Sequence, residues 1–197
     1  MLLQRFNTMI LIASLAVCTA IKADPIPKRQ WTSEAKLWTA RSCVGEAGFG
    51  AVQECIGIAW VYATRAKHYG SPYVVLVKKY SSAVKAHEKH RRGWIFDLQL
   101  NGTKPKKWPK HLSWKNHKPL WFRILKTLDL WAQGLVPNPV PGANHFGGKM
   151  DTPGIRWIRI QPISDVVFRN RFYRSKSTRS LPANSALISN SLMNGNR

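Results

Sequence analysis

Apolar residues recur at helical spacing along much of the chain. In the stretch 51–69 they occupy positions i, i+3, i+4 and i+7, and further apolar residues widen that face, as expected for a helix buried on most sides. Ser33 is suited to cap a helix that runs to Val44, and Pro119 to open one that ends at Gly134. The spacing predicts helices over 33–44, 51–69, 73–86 and 119–132, with a turn followed by a helix as the alternative over 73–86.

The pattern changes in the last third of the chain. Residues 135–142 contain too much proline for a regular element. Residues 155–160 alternate in the manner of a strand, and 166–173 can pair with them. The fold class predicted from these patterns is α+β and mainly helical, with a small C-terminal β-hairpin or sheet.

Both ends of the chain differ in composition from the middle. Residues 1–23 have the features of a secretory signal, with Arg5 before the apolar run 9–17 and small residues after it. That run is too short to span a bilayer comfortably, and no later stretch offers about 18 apolar residues, so we expect no transmembrane anchor. Residues 175–197 are rich in Ser and Asn and predict a flexible tail, which leaves 24–174 as a single domain.

The chain is strongly basic, with 31 Lys plus Arg, nine Asp plus Glu and a formal net charge of +22. Such a charge indicates a polyanionic environment, and predicted export argues against a specific nucleic-acid partner. The alternative is a solvated basic surface with no single partner. The segment 87–116 is the most positive stretch and contains three tryptophans, and we predict a long basic loop there.

Cys43 and Cys55 remain after removal of the predicted leader, which contains Cys18. In an oxidising compartment the two can pair and close a short loop around Glu46, with a stabilisation of about 3 kcal/mol. The alternative is two small apolar residues on helix faces, because spacing alone does not show that their side chains face each other. Val17 is a poor residue before a lipidated cysteine, which argues against a lipoprotein.

The few acidic residues can be sorted by their surroundings. Glu34 fits the first turn of a helix, where a carboxylate complements the helix dipole. Asp97 and Asp129 stand near basic residues and are interpreted as surface partners. The acids that remain as candidates for chemistry are Glu46, Glu54, Glu88 and Asp151.

Glu46 is the best placed of these candidates. It lies between two predicted helices, and Gly45, Gly48 and Gly50 allow backbone to approach a ligand closely. Phe49 offers an apolar neighbour, and desolvation raises a carboxyl pKa towards the range that a general acid needs. The alternative is that Glu46 only caps the second helix.

Other catalytic classes lack their residues. No serine stands in a nucleophile elbow to partner His145, and no phosphate loop or dinucleotide motif is present. His87 and His90 are three residues apart, whereas the metalloprotease motif needs four, so we expect neither a metal nor a cofactor. Carboxylate-led chemistry on a carbohydrate remains. Nine tryptophans are consistent with a sugar-binding cleft, although tryptophan is more often a core residue.

Several blocks of sequence carry a resemblance across about residues 33–174. They are Leu37-Trp38-Thr39-Ala40-Arg41, Gly45-Glu46-Ala47-Gly48, Ile58-Ala59-Trp60-Val61-Tyr62-Ala63-Thr64-Arg65, Ala132-Gln133-Gly134, Pro141-Gly142-Ala143-Asn144-His145-Phe146 and Asn170-Arg171-Phe172-Tyr173-Arg174. In these blocks the chain resembles the SleB-like cell wall hydrolases, the spore cortex-lytic enzyme family.

The resemblance implies a lysozyme-like catalytic core with Glu46 as the catalytic residue. The implied reaction is cleavage of the bond between N-acetylmuramic acid and N-acetylglucosamine in peptidoglycan, in the manner of a lytic transglycosylase. Asn144, His145, Phe146 and Gly48 would then bind substrate. We expect a monomer that is secreted or periplasmic and associated with the cell wall. Its partners would be peptidoglycan strands and other anionic envelope polymers.

Two positions depart from the family pattern, and two other activities stay open. Asn144 stands where the family has threonine, and Thr64 where it has asparagine before Arg65. These departures affect contacts with the substrate and leave the implied class of reaction unchanged. A hydrolytic muramidase is the nearest alternative, and a non-catalytic basic protein that binds the envelope is the alternative from another class.

Overall fold

A computed structural model describes residues 25–81, 93–147, 157–163 and 168–175. The described part of the chain contains four α-helices and a three-stranded antiparallel sheet, so the fold is α+β and mainly helical, as predicted. The helices are α1 (Ser33–Glu46), α2 (Val52–Tyr69), α3 (Tyr73–Tyr80) and α4 (Trp114–Ala132), and the strands are β1 (His145–Gly147), β2 (Trp157–Ile160) and β3 (Arg171–Ser175). Outside the described residues lie 1–24 with the predicted leader, 82–92 with His87, Glu88 and His90, 148–156 with Asp151, 164–167 with the start of the predicted strand 166–173, and 176–197 of the predicted tail.

Helix α1 is longer than its apolar pattern predicted and has a different cap. The Thr32 side chain, not that of Ser33, accepts the capping hydrogen bond, from the backbone N–H of Ala35 at 3.1 Å. The helix continues two residues past Val44 and ends at Glu46. The alternative in which Glu46 caps the second helix is therefore wrong, because α2 begins after Ala51 and has no side-chain cap.

Helix α2 agrees closely with its predicted range of 51–69. Gly70 terminates it in the left-handed region at φ 60°, and its N–H bonds the Ala66 carbonyl. A Cβ at Gly57 would lie 3.0 Å from the Phe172 ring, so the absence of a side chain there lets the sheet pack closely on α2. The third helix was predicted over 73–86. Within the described residues α3 ends at Tyr80.

Helix α4 begins at Trp114, not at Pro119 as predicted. Pro119 is the sixth residue of the helix, where its missing N–H leaves one carbonyl without an intrahelical donor. The earlier turn is held by tertiary contacts instead, since Trp114 packs on Trp108 with ring centroids 4.8 Å apart and His117 packs on Phe49 at 5.2 Å. Packing therefore overrides the local signal.

The sheet has the strand order β1-β3-β2, with both pairs antiparallel. The predicted pairing of the last two strands is confirmed, although β3 starts at Arg171 and includes Ser175, the first residue of the predicted tail. Strand β1 was not predicted. In it, His145 pairs with Tyr173 and Phe146 with Phe172. Residues 144–146, which we call the 144–146 block, therefore lie beside β3.

The core lies between α1, α2 and α4, with α3 and the sheet packed at its sides. Tryptophans supply much of it: Trp121 and Trp131 are fully buried, and less than a tenth of the surface of Trp94 and of Trp108 is exposed. These four side chains therefore serve the core and not an open sugar cleft. Among the described helices, none is both long enough and apolar enough to cross a membrane.

Candidate active site at the end of helix α1

A row of hydroxyl groups ends on the carboxylate of Glu46. The Ser81 Oγ donates to Glu46 Oε1 at 3.2 Å, and the Ser42 Oγ donates to Ser81 Oγ at 3.0 Å. Ser42 Oγ also lies 3.0 Å from the Tyr62 hydroxyl. Because the Ser42 proton is directed to Ser81, the Tyr62 hydroxyl is the donor in that bond. All donors therefore point the same way, towards the half-buried Glu46 carboxylate.

The hydroxyl row is buried and uncharged. Tyr62, Ser42 and Ser81 are fully buried. Burial raises the pKa of Tyr62 well above its ordinary value, and the nearby negative charge of Glu46 raises that pKa further, while the Ser42 hydrogen bond opposes both. Tyr62 thus stays a neutral donor at any physiological pH, and the row holds Glu46 in place without adding a charge.

A disulfide closes the turn that follows Glu46. Cys43 in the last turn of α1 is bonded to Cys55 in the first turn of α2, with Cα atoms 4.9 Å apart. The pairing that sequence spacing left open is therefore the one the structure has. The bond joins the two helices across the turn and limits how far Glu46 can move relative to α2.

Glu54 is a candidate acid to which the sequence assigned no role, and the structure shows it buried. It is 1% exposed, in the first turn of α2. Its carboxylate accepts from the backbone N–H of Arg169 at 2.8 Å, from the backbone N–H of Asn170 at 2.7 Å and from the Asn170 side chain at 2.6 Å. Three donors compensate the cost of burying this charge. Glu54 is therefore a structural anchor for the segment before β3.

Asn170 links that anchor to the candidate site. Its side-chain nitrogen also donates to the backbone carbonyl of Glu46 at 3.1 Å. The end of α1 is thus tied to the chain before β3, 124 positions later. The sequence near Glu46 does not predict this contact, because the asparagine that donates to the end of α1 lies far away along the chain.

The 144–146 block is held by Arg65 of α2. The Arg65 Nε donates to the Asn144 carbonyl at 2.7 Å, and a terminal guanidinium nitrogen lies 2.6 Å from His145 Nδ1. Arginine only donates, so His145 Nδ1 accepts and the imidazole is neutral with its proton on Nε2. Burial lowers the pKa of Arg65, an effect opposed by nearby tyrosines, and its guanidinium lies 4.7 Å from the Tyr80 ring centroid.

The predicted substrate-binding residues differ in their surroundings. Asn144 precedes β1 and is bonded to β3, since its N–H donates to the Tyr173 carbonyl and its side-chain oxygen accepts from the Ser175 N–H at 3.2 Å. Phe146 packs edge-on against Tyr62, with ring centroids 5.6 Å apart. Through Tyr62 the block therefore adjoins the hydroxyl row that ends on Glu46.

Gly48 provides the turn after Glu46. Its φ of 86° lies in the left-handed region, and a Cβ there would lie 3.4 Å from the Arg169 guanidinium. The sequence predicted that Gly48 lets the backbone approach a ligand closely. In the structure, the group close to Gly48 is the side chain of Arg169. Arg169 is exposed and places a positive charge beside the turn.

An aromatic cluster supports the other side of the turn. The Phe49 ring is stacked on Trp94 at 6.0 Å and packs edge-on against Trp108 at 5.9 Å and His117 at 5.2 Å. Nearby, Arg41 donates from two guanidinium nitrogens to the Leu98 carbonyl. Burial lowers the pKa of Arg41, and the negative charge of Asp97 opposes that effect. The segment 93–98 is therefore fastened to α1.

Two of the cavities on the described surface lie away from Glu46. One, of about 300 Å³, is lined mainly by apolar residues that include Ile56, Pro137 and Ile163. The other, of about 560 Å³, lies between residues 25–30, the second half of α2 and the turn before α3. In the described ranges no group of three His, Cys, Asp or Glu side chains is arranged to hold a metal ion.

Comparison with known proteins identifies no relative of the chain. A scan against models of protein families, a search of curated proteins and a search of solved structures each find no match to the chain. The resemblance to the SleB-like cell wall hydrolases therefore stays a prediction carried by the sequence blocks quoted above.

Proposed function

We propose that this protein is an exported enzyme that cleaves the glycosidic bond between N-acetylmuramic acid and N-acetylglucosamine in peptidoglycan, with Glu46 as general acid and base. The observation that carries the proposal is the hydroxyl row, in which Ser81 donates to the Glu46 carboxylate at 3.2 Å. The sequence blocks shared with cell wall hydrolases support the choice of substrate and a lysozyme-like core.

A single catalytic carboxyl fits the described acids. Most glycosidases use two carboxyl groups that flank the scissile bond. Glu54 is near Glu46 in sequence, but its oxygens already accept three hydrogen bonds and it is 1% exposed. It is therefore unsuited to act as a nucleophile or to activate water. Among the described acids, this favours a reaction in which the nucleophile belongs to the substrate, as in a lytic transglycosylase.

In this reaction Glu46 acts twice. Protonated Glu46 gives its proton to the glycosidic oxygen while the bond from that oxygen to the muramic anomeric carbon breaks. The Glu46 carboxylate then takes the proton of the muramic C6 hydroxyl as that oxygen bonds to the anomeric carbon, which gives a 1,6-anhydro product. Glu46 ends protonated as it began. The Ser81 hydroxyl orients the carboxyl in both steps and stabilises it when it is charged.

The proposal is tested on purified sacculi with a Glu46→Gln variant. We expect the native protein to release soluble fragments and the variant to release none above background. The matched control is Glu34→Gln, which changes an exposed acid of the same helix. Solubilisation by Glu46→Gln at the native rate would refute the catalytic role. Mass spectrometry of the fragments separates the two enzymes, because only a transglycosylase yields 1,6-anhydromuropeptides.

The competing class is a basic envelope-binding protein without catalysis. The excess of basic over acidic residues favours some adhesion to anionic material in either case. The same sacculus assay separates the classes, since a binding protein would adsorb to sacculi and leave their turbidity unchanged. Adsorption without release of fragments by the native protein would therefore favour the binding protein.

A further inference from the structure

Eight cationic side chains form an exposed surface that no acidic residue interrupts along the sequence. Between positions 98 and 128 the chain has seven lysines and one arginine but no Asp or Glu. All eight are exposed, and within the described ranges none of them forms an ion pair. We call this surface the basic face; its members are Lys104, Lys106, Lys107, Lys110, Lys115, Lys118, Arg123 and Lys126.

Half of the basic face belongs to one side of helix α4. The cations at 115, 118 and 126 follow helical spacing with Phe122 between them, and Arg123 flanks the same stripe. The opposite side of α4 is buried through Trp121, Ile124 and Leu128. The direction of these cations is therefore determined by the amphipathic packing of the helix.

The other half lies on a segment that is fastened to α4. Gly102 sits against the helix, since a Cβ there would lie 2.6 Å from the Phe122 ring and 3.2 Å from Lys118. The Trp121 indole N–H donates to the Gln99 carbonyl at 2.8 Å, and Trp108 packs on Trp114. The cations are thus displayed on ordered backbone, so less conformational entropy is lost when they bind a partner together.

The residue types indicate what the basic face binds. Seven of its eight cations are lysines, which act as mobile point charges, whereas arginine suits bidentate contacts to bases or single phosphates. Stacking on nucleobases needs exposed aromatic rings, and insertion into a lipid surface needs several exposed apolar side chains. Among the described residues from 98 to 128, Phe122 at 41% is the exposed large hydrophobic side chain, and Trp108 and Trp121 are buried.

We propose that the basic face binds a linear phosphodiester polymer that carries no bases, of the poly(glycerol phosphate) type found in cell envelopes. Such a polymer has one permanent negative charge per repeat, which matches lysines spaced along an extended surface. The face adjoins the turn after Glu46, because Trp108 and His117 both contact Phe49. The inference does not depend on catalysis by Glu46.

The test compares two triple variants of the full chain with equal loss of charge. One replaces three members of the basic face, with Lys106→Gln, Lys110→Gln and Lys115→Gln. The control replaces three exposed lysines outside it, with Lys28→Gln, Lys67→Gln and Lys79→Gln. Affinity is measured for poly(glycerol phosphate), for phosphatidylglycerol vesicles and for a single-stranded oligodeoxynucleotide of equal charge. Circular dichroism and Tm confirm that both variants fold.

We expect the basic-face variant to bind the polymer at least about tenfold more weakly than the native chain, and the control variant to lose about twofold or less. Binding should weaken steeply when NaCl rises from about 0.05 M to about 0.5 M. Glu46→Gln should bind like the native chain. Equal losses in the two triple variants, or tighter binding to the vesicles or the oligonucleotide than to the polymer, would overturn the proposal.

Discussion

The Ser81 hydroxyl donates a hydrogen bond to the Glu46 carboxylate at 3.2 Å, although the two residues are 35 positions apart. Ser81 follows α3 and Glu46 ends α1, so the contact depends on how these two helices pack. Behind Ser81 the buried Ser42 and Tyr62 hydroxyls continue the same row. The protein thus surrounds the end of α1 with neutral donors that orient one carboxylate.

The first prediction rests on the proposed catalytic role of Glu46 and concerns Ser81→Ala. Loss of a hydrogen bond to a charged group costs about 1.5–3 kcal/mol, which corresponds to a decrease in kcat of roughly 10- to 100-fold, with KM nearly unchanged. The measurement is turnover of soluble peptidoglycan fragments. Ser71→Ala is the control, since in the described structure the Ser71 hydroxyl donates to the nearby Tyr69 carbonyl, in the turn before α3. A native kcat in Ser81→Ala would show that the hydrogen bond does not orient Glu46 for reaction.

The second prediction concerns Glu54→Gln. The variant loses the charge that three donors share and turns an amide N–H₂ towards them, so the free energy of unfolding should fall by roughly 2–3 kcal/mol. Chemical denaturation measures the change. In the exposed control Glu34→Gln, removal of the pair with Lys78 should cost less than about 1 kcal/mol. Equal small losses in both variants would contradict the role of Glu54 as an anchor.

The third prediction follows from the raised pKa values of Tyr62 and Tyr73. Both rings are fully buried, and burial is the main cause of each shift. The folded protein therefore keeps these protons at a pH where the unfolded chain loses them. The resulting stability is fully present below a pH of about 10 and is lost as pH rises above it.

The measurement is denaturation at a series of pH values from neutral to strongly alkaline. In Tyr62→Phe the decline above a pH of about 10 should be shallower than in the native chain, because one coupled proton is removed. Tyr69→Phe is the control, since Tyr69 is 56% exposed. If Tyr62→Phe and Tyr69→Phe gave the same slope as the native chain, the pH dependence would have another source.

The fourth prediction compares two glycines of the same turn. Gly48 has φ 86°, so Gly48→Ala should lower the free energy of unfolding by about 1–2 kcal/mol. Gly50 does not have a positive φ, and a Cβ there would have nothing within 4 Å, so Gly50→Ala should change stability by less than about 0.5 kcal/mol. Thermal or chemical denaturation distinguishes the two. A similar cost at both positions would mean that the turn adapts its backbone.

Local patterns determined a large part of this fold. Apolar spacing predicted α2 to within one residue, and the last two strands pair as their alternation indicated. These features depend on neighbours in sequence, because the period of a helix or strand and the residues of its turns are visible within a few positions. Glu46 as the candidate acid also came from the sequence, through its glycine neighbours and the quoted blocks.

Tertiary structure alone decided what surrounds Glu46. The donors Ser81 and Asn170, the burial of Glu54 and the start of α4 at Trp114 all depend on contacts between residues far apart in the chain. Such contacts leave no periodic trace, since a hydrogen bond or a ring contact needs only proximity in space. The sequence therefore determined that Glu46 lies between two helices among glycines, and the packing of α1, α3 and the sheet determined its hydrogen-bond partners.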